Sequence, residues 1–302
     1  MVNSNILVVG RFFFVKWRPS LKIDFSPIRR TWRFAMNILV TMIINTVNNN
    51  ILTFIFGKLF TKTPQVVGNF FQAFKWNMMA WQMAGGMIEQ VAQPVLVSVR
   101  DDEKEREIRV FRKMLRFTAF LSFPIMLGLS LVSREFILDT IGPRWADCIP
   151  LLQVLCIGGA FMPFYALYKN LIISQGRSDV NMWLNVTQIL IQIVLILLTY
   201  RQGILSVVWA YTLLNIVWLS VWQLFARRII GVRFLDVLKD IIPFGIIACG
   251  VMVLTGLLTT GVTNLYLLLL LRVAIAAAAY FAVMKLLRVK IMDECLKFIF
   301  RR

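Results

Sequence analysis

An all-α polytopic membrane protein of about eight transmembrane helices is the fold class this sequence predicts, on three observations. The 302 residues are 59% hydrophobic with a mean hydropathy of +0.74, far above a soluble globular chain. Apolar runs of about 20 residues, the length a helix needs to cross a bilayer, recur from end to end. Basic residues crowd alternate connections, as topology signals do. A transmembrane barrel would instead alternate apolar and polar residues over segments of about ten, and that pattern is missing.

Residues 1–33 read as a basic cytoplasmic segment containing the remnant of a preceding helix. Its "NILVVGRFFFVKW" lacks a small-residue cleavage site and, at about a dozen residues, is too short to span. Spans are expected at 36–57, 78–99, 117–138, 149–173, 181–200, 204–225, 241–260 and 265–286. Pro94, Pro124, Pro163 and Pro243 fall within them, as a bundle tolerates where neighbouring helices satisfy freed backbone groups. The charged stretch "RDDEKEREIRVFRKMLR" (100–116) places Ile108, Phe111 and Leu115 on one helical face. It reads as a solvated connector with inside-positive charge, or as an amphipathic helix leading into the third span. Lys and Arg crowd 11–33, 100–116, 227–239 and the tail from 285, with Lys169 and Arg177 on the same side. Only Lys58, Lys62, Lys75, Arg134, Arg144 and Arg201 fall on the other. This asymmetry assigns both termini to the cytoplasm. Trp76, Trp81, Trp183, Trp209, Trp218 and Trp222 lie mostly near proposed span ends, where interfacial anchoring explains them; stacking of one or two on a sugar is the alternative.

Composition also excludes classes. The net charge of +18 is concentrated between spans, where it sets topology and meets anionic lipid, and no groove-reading motif points to nucleic acid. Four cysteines without a CxxC pair, and no histidine, argue against a metal site. Without histidine the chain lacks the commonest general base, which argues against membrane acyltransferases and hydrolases built on one, and no cofactor is expected.

The polar residues inside the spans are the informative ones. "INTVNNNILTF" (44–54) carries four asparagines in the first span. At 3.6 residues per turn, Asn37, Thr41, Asn45, Asn48 and Asn49 form one stripe. Gln82, Gly86, Glu89 and Gln93 repeat the pattern in the second span, and Asn181, Asn185, Gln188 and Gln192 in the fifth. Thr212, Asn215 and Gln223 make a weaker line in the sixth. Two readings stand: amides joining packed helices by hydrogen bonds, or the lining of a wet cavity. The length of the stripes and an acid at Glu89, costly in lipid unless paired or hydrated, favour the cavity. Its candidate lining is Asn45, Asn48, Asn49, Gln82, Glu89, Gln93, Asn185, Gln188 and Gln192. Amides and water suit a polyhydroxylated solute because both donate and accept. Lys75, Lys169 and Arg272 are candidate lipid-phosphate contacts; snorkelling to the headgroups is the competing account.

"NNNILTFIFGKLF", "QPVLVSVRDDEKEREIRVFRKMLRFTAFLSFPIMLGL", "IPLLQVLCIGGAFMPFYALYKNLIISQGRSD" and "FLDVLKDIIPF" resemble the carboxyl-terminal half of Wzx-type polysaccharide flippases. These belong to the multidrug/oligosaccharidyl-lipid/polysaccharide exporter superfamily. The resemblance runs from about residue 17 to 245. It implies two six-helix lobes around a central cavity, often with two further helices. It also implies transport of undecaprenyl-diphosphate-linked oligosaccharide between leaflets of the bacterial inner membrane by alternating access. On that template residues 34–228 are a six-helix second lobe, and 229–302 are two additional helices and a basic tail. Lipid-linked oligosaccharide and membrane lipids are the implied partners, together with a first lobe or a second copy of the chain. The resemblance begins near the family's midpoint. The family commonly has a Tyr-Tyr pair, often with Arg, where "VGNFFQAFKW" has Asn69, Phe70, Phe71 and Gln72. The other readings are a non-transporting membrane fragment, an ion-coupled drug exporter of the same superfamily, and, weakest, a membrane glycan ligase or polymerase.

Overall fold

A computed structural model describes residues 26–59, 64–100, 103–262, 264–287, 289 and 291–292. Within the first helix the side chains of 26–30, 33, 45, 47–55 and 59 lie outside the described set. Nine α-helices and two short 3-10 turns make up the described residues, with no strand. The helices are α1 (Ser26–Leu59), α2 (Pro64–Ser98), α3 (Lys104–Thr140), α4 (Cys148–Gly159), α5 (Met162–Ser174), α6 (Ser178–Thr199), α7 (Ile204–Ile230), α8 (Phe234–Leu258) and α9 (Leu265–Leu286).

Each expected span falls on a helix, with one revision. The segment 149–173 is two helices, broken at Ala160 and Phe161. Pro163 sits at the start of the second helix, where a missing N–H is tolerated. Ser122 Oγ of α3 donates to Ala160 O at 2.6 Å, so a neighbouring helix satisfies a carbonyl at the break. By length and composition α3, α4–α5 taken together, α6, α7, α8 and α9 can each cross a membrane. The chain is therefore a multi-pass membrane protein. α1 and α2 are long but carry more polar residues within their runs: amides and Glu89 dilute α2, and the apolar run of α1 is Phe34–Ile44.

Local chemistry sets the ends. Asn264 caps α9 by accepting from Leu267 N at 3.2 Å. α7 closes on Gly231 at φ +87°, the left-handed position where glycine is unstrained, with Arg227 and Arg228 in its last turn. Arg at that end meets the negative pole of the helix dipole.

The centre is α3 with α2, α4, α5 and α7 around it; α8 and α9 pack on the other side of α3, and α1 leans mainly on α6. Phe111, Leu115 and Met126 of α3, Leu152 of α4, Phe164 and Leu171 of α5 and Trp222 of α7 are buried. Glycine lets α4 approach closely: a Cβ on Gly159 would lie 2.3 Å from Met126 Cε and 2.6 Å from Asn77 Nδ2. Small residues at such crossings admit the dense contact that drives helix association in lipid.

Within the stretch 100–116, residues from Lys104 onward are the first turns of α3 rather than a free connector, and 101–102 lie outside the described residues. Phe111 and Leu115 are buried in the core. Glu107 accepts from Gln175 Nε2 at 2.5 Å. Burial raises the Glu107 carboxyl above its ordinary range, and the Gln175 hydrogen bond and nearby Arg100 and Lys104 oppose that rise. Arg112 holds Asp240 of α8 through Nε at 2.6 Å and Nη2 at 3.2 Å, with Arg116 at 3.7 Å. The Asp240 hydrogen bond raises the Arg112 guanidinium above its usual value, against the effect of its own burial. This two-point clamp ties α8 to the start of α3.

Candidate solute-facing site

The amide stripes meet different fates. On α2, Gln82, Glu89 and Gln93 are exposed, and Glu89 has no ion-pair partner among the described residues. The exposed side of α2 also carries Met79, Met83 and Met87. α3, α4 and α5 pack on the other side of α2. On α1, Asn37 Nδ2 donates to Ser178 Oγ of α6 at 3.3 Å, and Thr41 is buried, donating to Asn37 O. The side chains of Asn45, Asn48 and Asn49 lie outside the described residues.

The stripe of α6 turns inward. Asn181 and Gln192 are buried. Asn185 Nδ2 bonds Asn181 O at 2.7 Å. Gln188 Nε2 donates to Asn215 Oδ1 of α7 at 2.9 Å and reaches the Tyr165 hydroxyl of α5 at 3.4 Å. That hydroxyl donates to Asn215 O at 2.5 Å. In α7, Gln223 accepts from Tyr168 OH at 2.7 Å and donates to Val232 O at 3.0 Å. These amides join α5, α6 and α7.

The three cations sit on three helices. Lys75 is exposed, with its ammonium 5.8 Å from the Trp76 ring centroid, and Lys169 is half-buried on α5. Arg272 is held inside the protein: Nη1 lies 2.9 Å from Glu135 Oε1, and Nε donates to Thr259 Oγ1 at 3.0 Å. Arg272 also borders an apolar cleft of about 410 Å³ between α3, α8 and α9.

A second cavity, about 250 Å³, lies between α2, α4, α5 and α7. Asn77, Trp81, Gln82, Tyr211, Thr212 and Asn215 line it, and Gly158 and Gly159 form its floor at the helix break. Asn77 is 4% exposed and its side chain hydrogen-bonds the Cys156 thiol. Gln82, itself exposed, joins this chamber to the outer face of α2. Of these residues sequence reasoning singled out Gln82, Thr212 and Asn215 for their stripes and Trp81 as an anchor. It missed Asn77 and Tyr211, which fall off the stripes. The adjacent glycines in an otherwise large-residue span were the available signal for a close crossing.

The sequence matches the family model described as "Polysaccharide biosynthesis protein" over residues 1–150. It is 27% identical over 188 residues to the lipopolysaccharide biosynthesis protein WzxC of Escherichia coli (strain K12), covering 62% of this chain and 38% of that protein. It is 24% identical over 247 residues to the teichuronic acid biosynthesis protein TuaB of Bacillus subtilis (strain 168), covering 78% of this chain and 50% of that one. The resemblance to Wzx-type polysaccharide flippases holds. The fold agrees: the lipid II flippase MurJ in an inward closed conformation superposes with a TM-score of 0.62 at 15% identity, covering 95% of this chain and 58% of that one. An outward-facing multidrug resistance MATE family transporter of the MOP superfamily gives 0.55 at 18% identity, over 86% of this chain and 65% of that one. This Wzx-like chain spans no more than half the length of the two relatives compared by sequence.

Proposed function

We propose that this chain is the second lobe of a flippase that carries undecaprenyl-diphosphate-linked oligosaccharide across the bacterial inner membrane by alternating access, without covalent chemistry. The observation that carries the reading is the stripe of Gln82, Glu89 and Gln93, exposed on α2. An acid and two amides turned to hydrocarbon would be unfavourable by several kcal/mol, and a solute path shared with a facing lobe removes that penalty. Asn185, Gln188 and Gln192 support the wall from behind. Lys75 is the cation free to meet a phosphate, whereas Arg272 is committed to Glu135. Both termini face the cytoplasm.

The test is export in a flippase-null strain. Alternating access requires two halves moving about a site, so the chain alone does not restore export, and co-expression with a first lobe does. Failure with every first lobe tried, despite membrane insertion, would make the chain a non-transporting fragment. Drug resistance without glycan export would favour the ion-coupled exporter.

A further inference from the structure

We propose that the chamber between α2, α4, α5 and α7 is a subsite for one uncharged sugar residue of the carried glycan. The proposal rests on the flippase reading and adds a recognition element to it. At about 250 Å³ the chamber far exceeds the roughly 15 Å³ that admits one water. Its walls combine the two surfaces a pyranose offers partners for. The amides of Asn77 and Gln82 can donate to and accept from vicinal hydroxyls, while Asn215 and Thr212, whose N–H and O–H go to Tyr211 O and Val154 O, can accept through their side-chain oxygens. Trp81 and Tyr211 supply apolar ring surface beside them. The absence of side chains on Gly158 and Gly159 keeps that volume open: Cβ atoms there would crowd Thr212, at 3.1 Å, and Asn77, at 2.6 Å.

Two features separate a ligand site from a packing defect. Packing defects are apolar and dry, whereas this cavity is lined by a buried amide, Asn77, whose side-chain hydrogen-bond partner is the Cys156 thiol, a weak acceptor. A thiol satisfies such a donor poorly, so the site favours an occupant that offers it an oxygen acceptor. The mouth, marked by Gln82, opens on the α2 face already assigned to the solute path. None of the described residues lining the chamber is charged; the nearest lysine in sequence, Lys75, is exposed beside Trp76. A uronic acid entering here would lose hydration without gaining a counter-charge. Selection for a neutral sugar therefore works by exclusion as well as by fit.

Native mass spectrometry of the full chain in detergent tests this with three probes: polyprenyl diphosphate alone, the same lipid bearing glucose, and the same lipid bearing glucuronate. The ratio of each sugar probe to the bare lipid is the readout. In the wild type glucose tightens binding about tenfold, the scale of giving one poorly satisfied buried donor an oxygen acceptor, and glucuronate does not. Asn77→Leu removes the gain. Gln82→Trp, at an exposed position that leaves the core untouched, blocks the mouth and also removes it. Equal binding of all three probes overturns the subsite and leaves a water-filled chamber. So does a glucuronate gain equal to that of glucose, or a glucose gain surviving both substitutions. Binding of none of the probes to the wild type overturns the subsite, while the flippase reading stands or falls on the export test with a first lobe supplied.

Discussion

The stripes of α2 and α6 are nearly alike in sequence and opposite in structure. Both place amides at i, i+3 or i+4 along a long apolar helix. On α2 they stay exposed, because the helices packed on α2 take its other face. On α6 they are drawn inward, because α5 and α7 present a tyrosine hydroxyl and Asn215 at bonding distance. An amide in a span thus reports a polar need without saying who meets it. Where the chain supplies the partner, the amide holds helices together; where it does not, the amide marks a surface for water, solute or another lobe.

The largest effect that would sharpen this contrast is on stability. Gln188→Leu or Asn215→Leu breaks a buried pair and leaves the other amide unsatisfied. Each is expected to destabilise the detergent-solubilised chain by about 1–3 kcal/mol. The double substitution should cost less than the sum, by roughly 0.6 and at most about 1.7 kcal/mol, measured by a thermal-unfolding double-mutant cycle. Additive effects would dissolve the network. Next comes accessibility in a cysteine-free background. Cysteines at Gln82 and Glu89 should react with a membrane-impermeant hydrophilic maleimide when a first lobe is supplied, and cysteines at Asn181 and Gln192 should stay silent. Equal reactivity at all four would erase the distinction. Smaller still, Gln82→Ala and Gln93→Ala should change unfolding free energy by no more than about 0.5 kcal/mol while reducing export. A large loss of stability would show that α2's stripe is also glue.

The smallest effect concerns Glu107. Its folded-state carboxyl is raised by burial, so the ionised form strains the fold. Stability from this group is therefore present below the ordinary carboxyl range and lost as pH rises through the raised value. Glu107→Gln keeps an acceptor for Gln175 and removes the charge. The variant should unfold at a higher temperature than the wild type at pH 8, with the difference closing towards pH 4. A difference that widens on acidification would contradict the assigned cause.

The helices were legible because bilayer thickness forces long apolar runs, and every expected span lies on a helix. The break inside 149–173 was not, because Pro163 marks a helix start as readily as a tolerated interior position, and Gly158–Ala160 matter only beside Met126 and Asn77. The stripes were legible as periodicity, but their direction was not. Gln93 and Gln192 are the same residue type at the same step of their stripes, one exposed and one buried, and only the neighbours across the interface separate them. Arg272 taught the same lesson, since its partner Glu135 lies 137 positions earlier.

That separation bears on how the protein is made. Glu135 is buried in α3, and Arg272 enters eight residues into the last described helix. Each charge opposes partition of its own helix, with an upper figure of roughly 2.5–3.5 kcal/mol on insertion scales for a charge at the helix centre. α3 is synthesised first and carries an uncompensated acid while five further helices emerge. The hydrogen bonds of Arg272 to Glu135, Thr259 and Leu131 form only when α9 arrives. The last helix is thus both the costliest to leave unpaired and the one that closes α3, so a nascent chain stalled before residue 265 holds an open acidic site on α3 for membrane quality control to recognise.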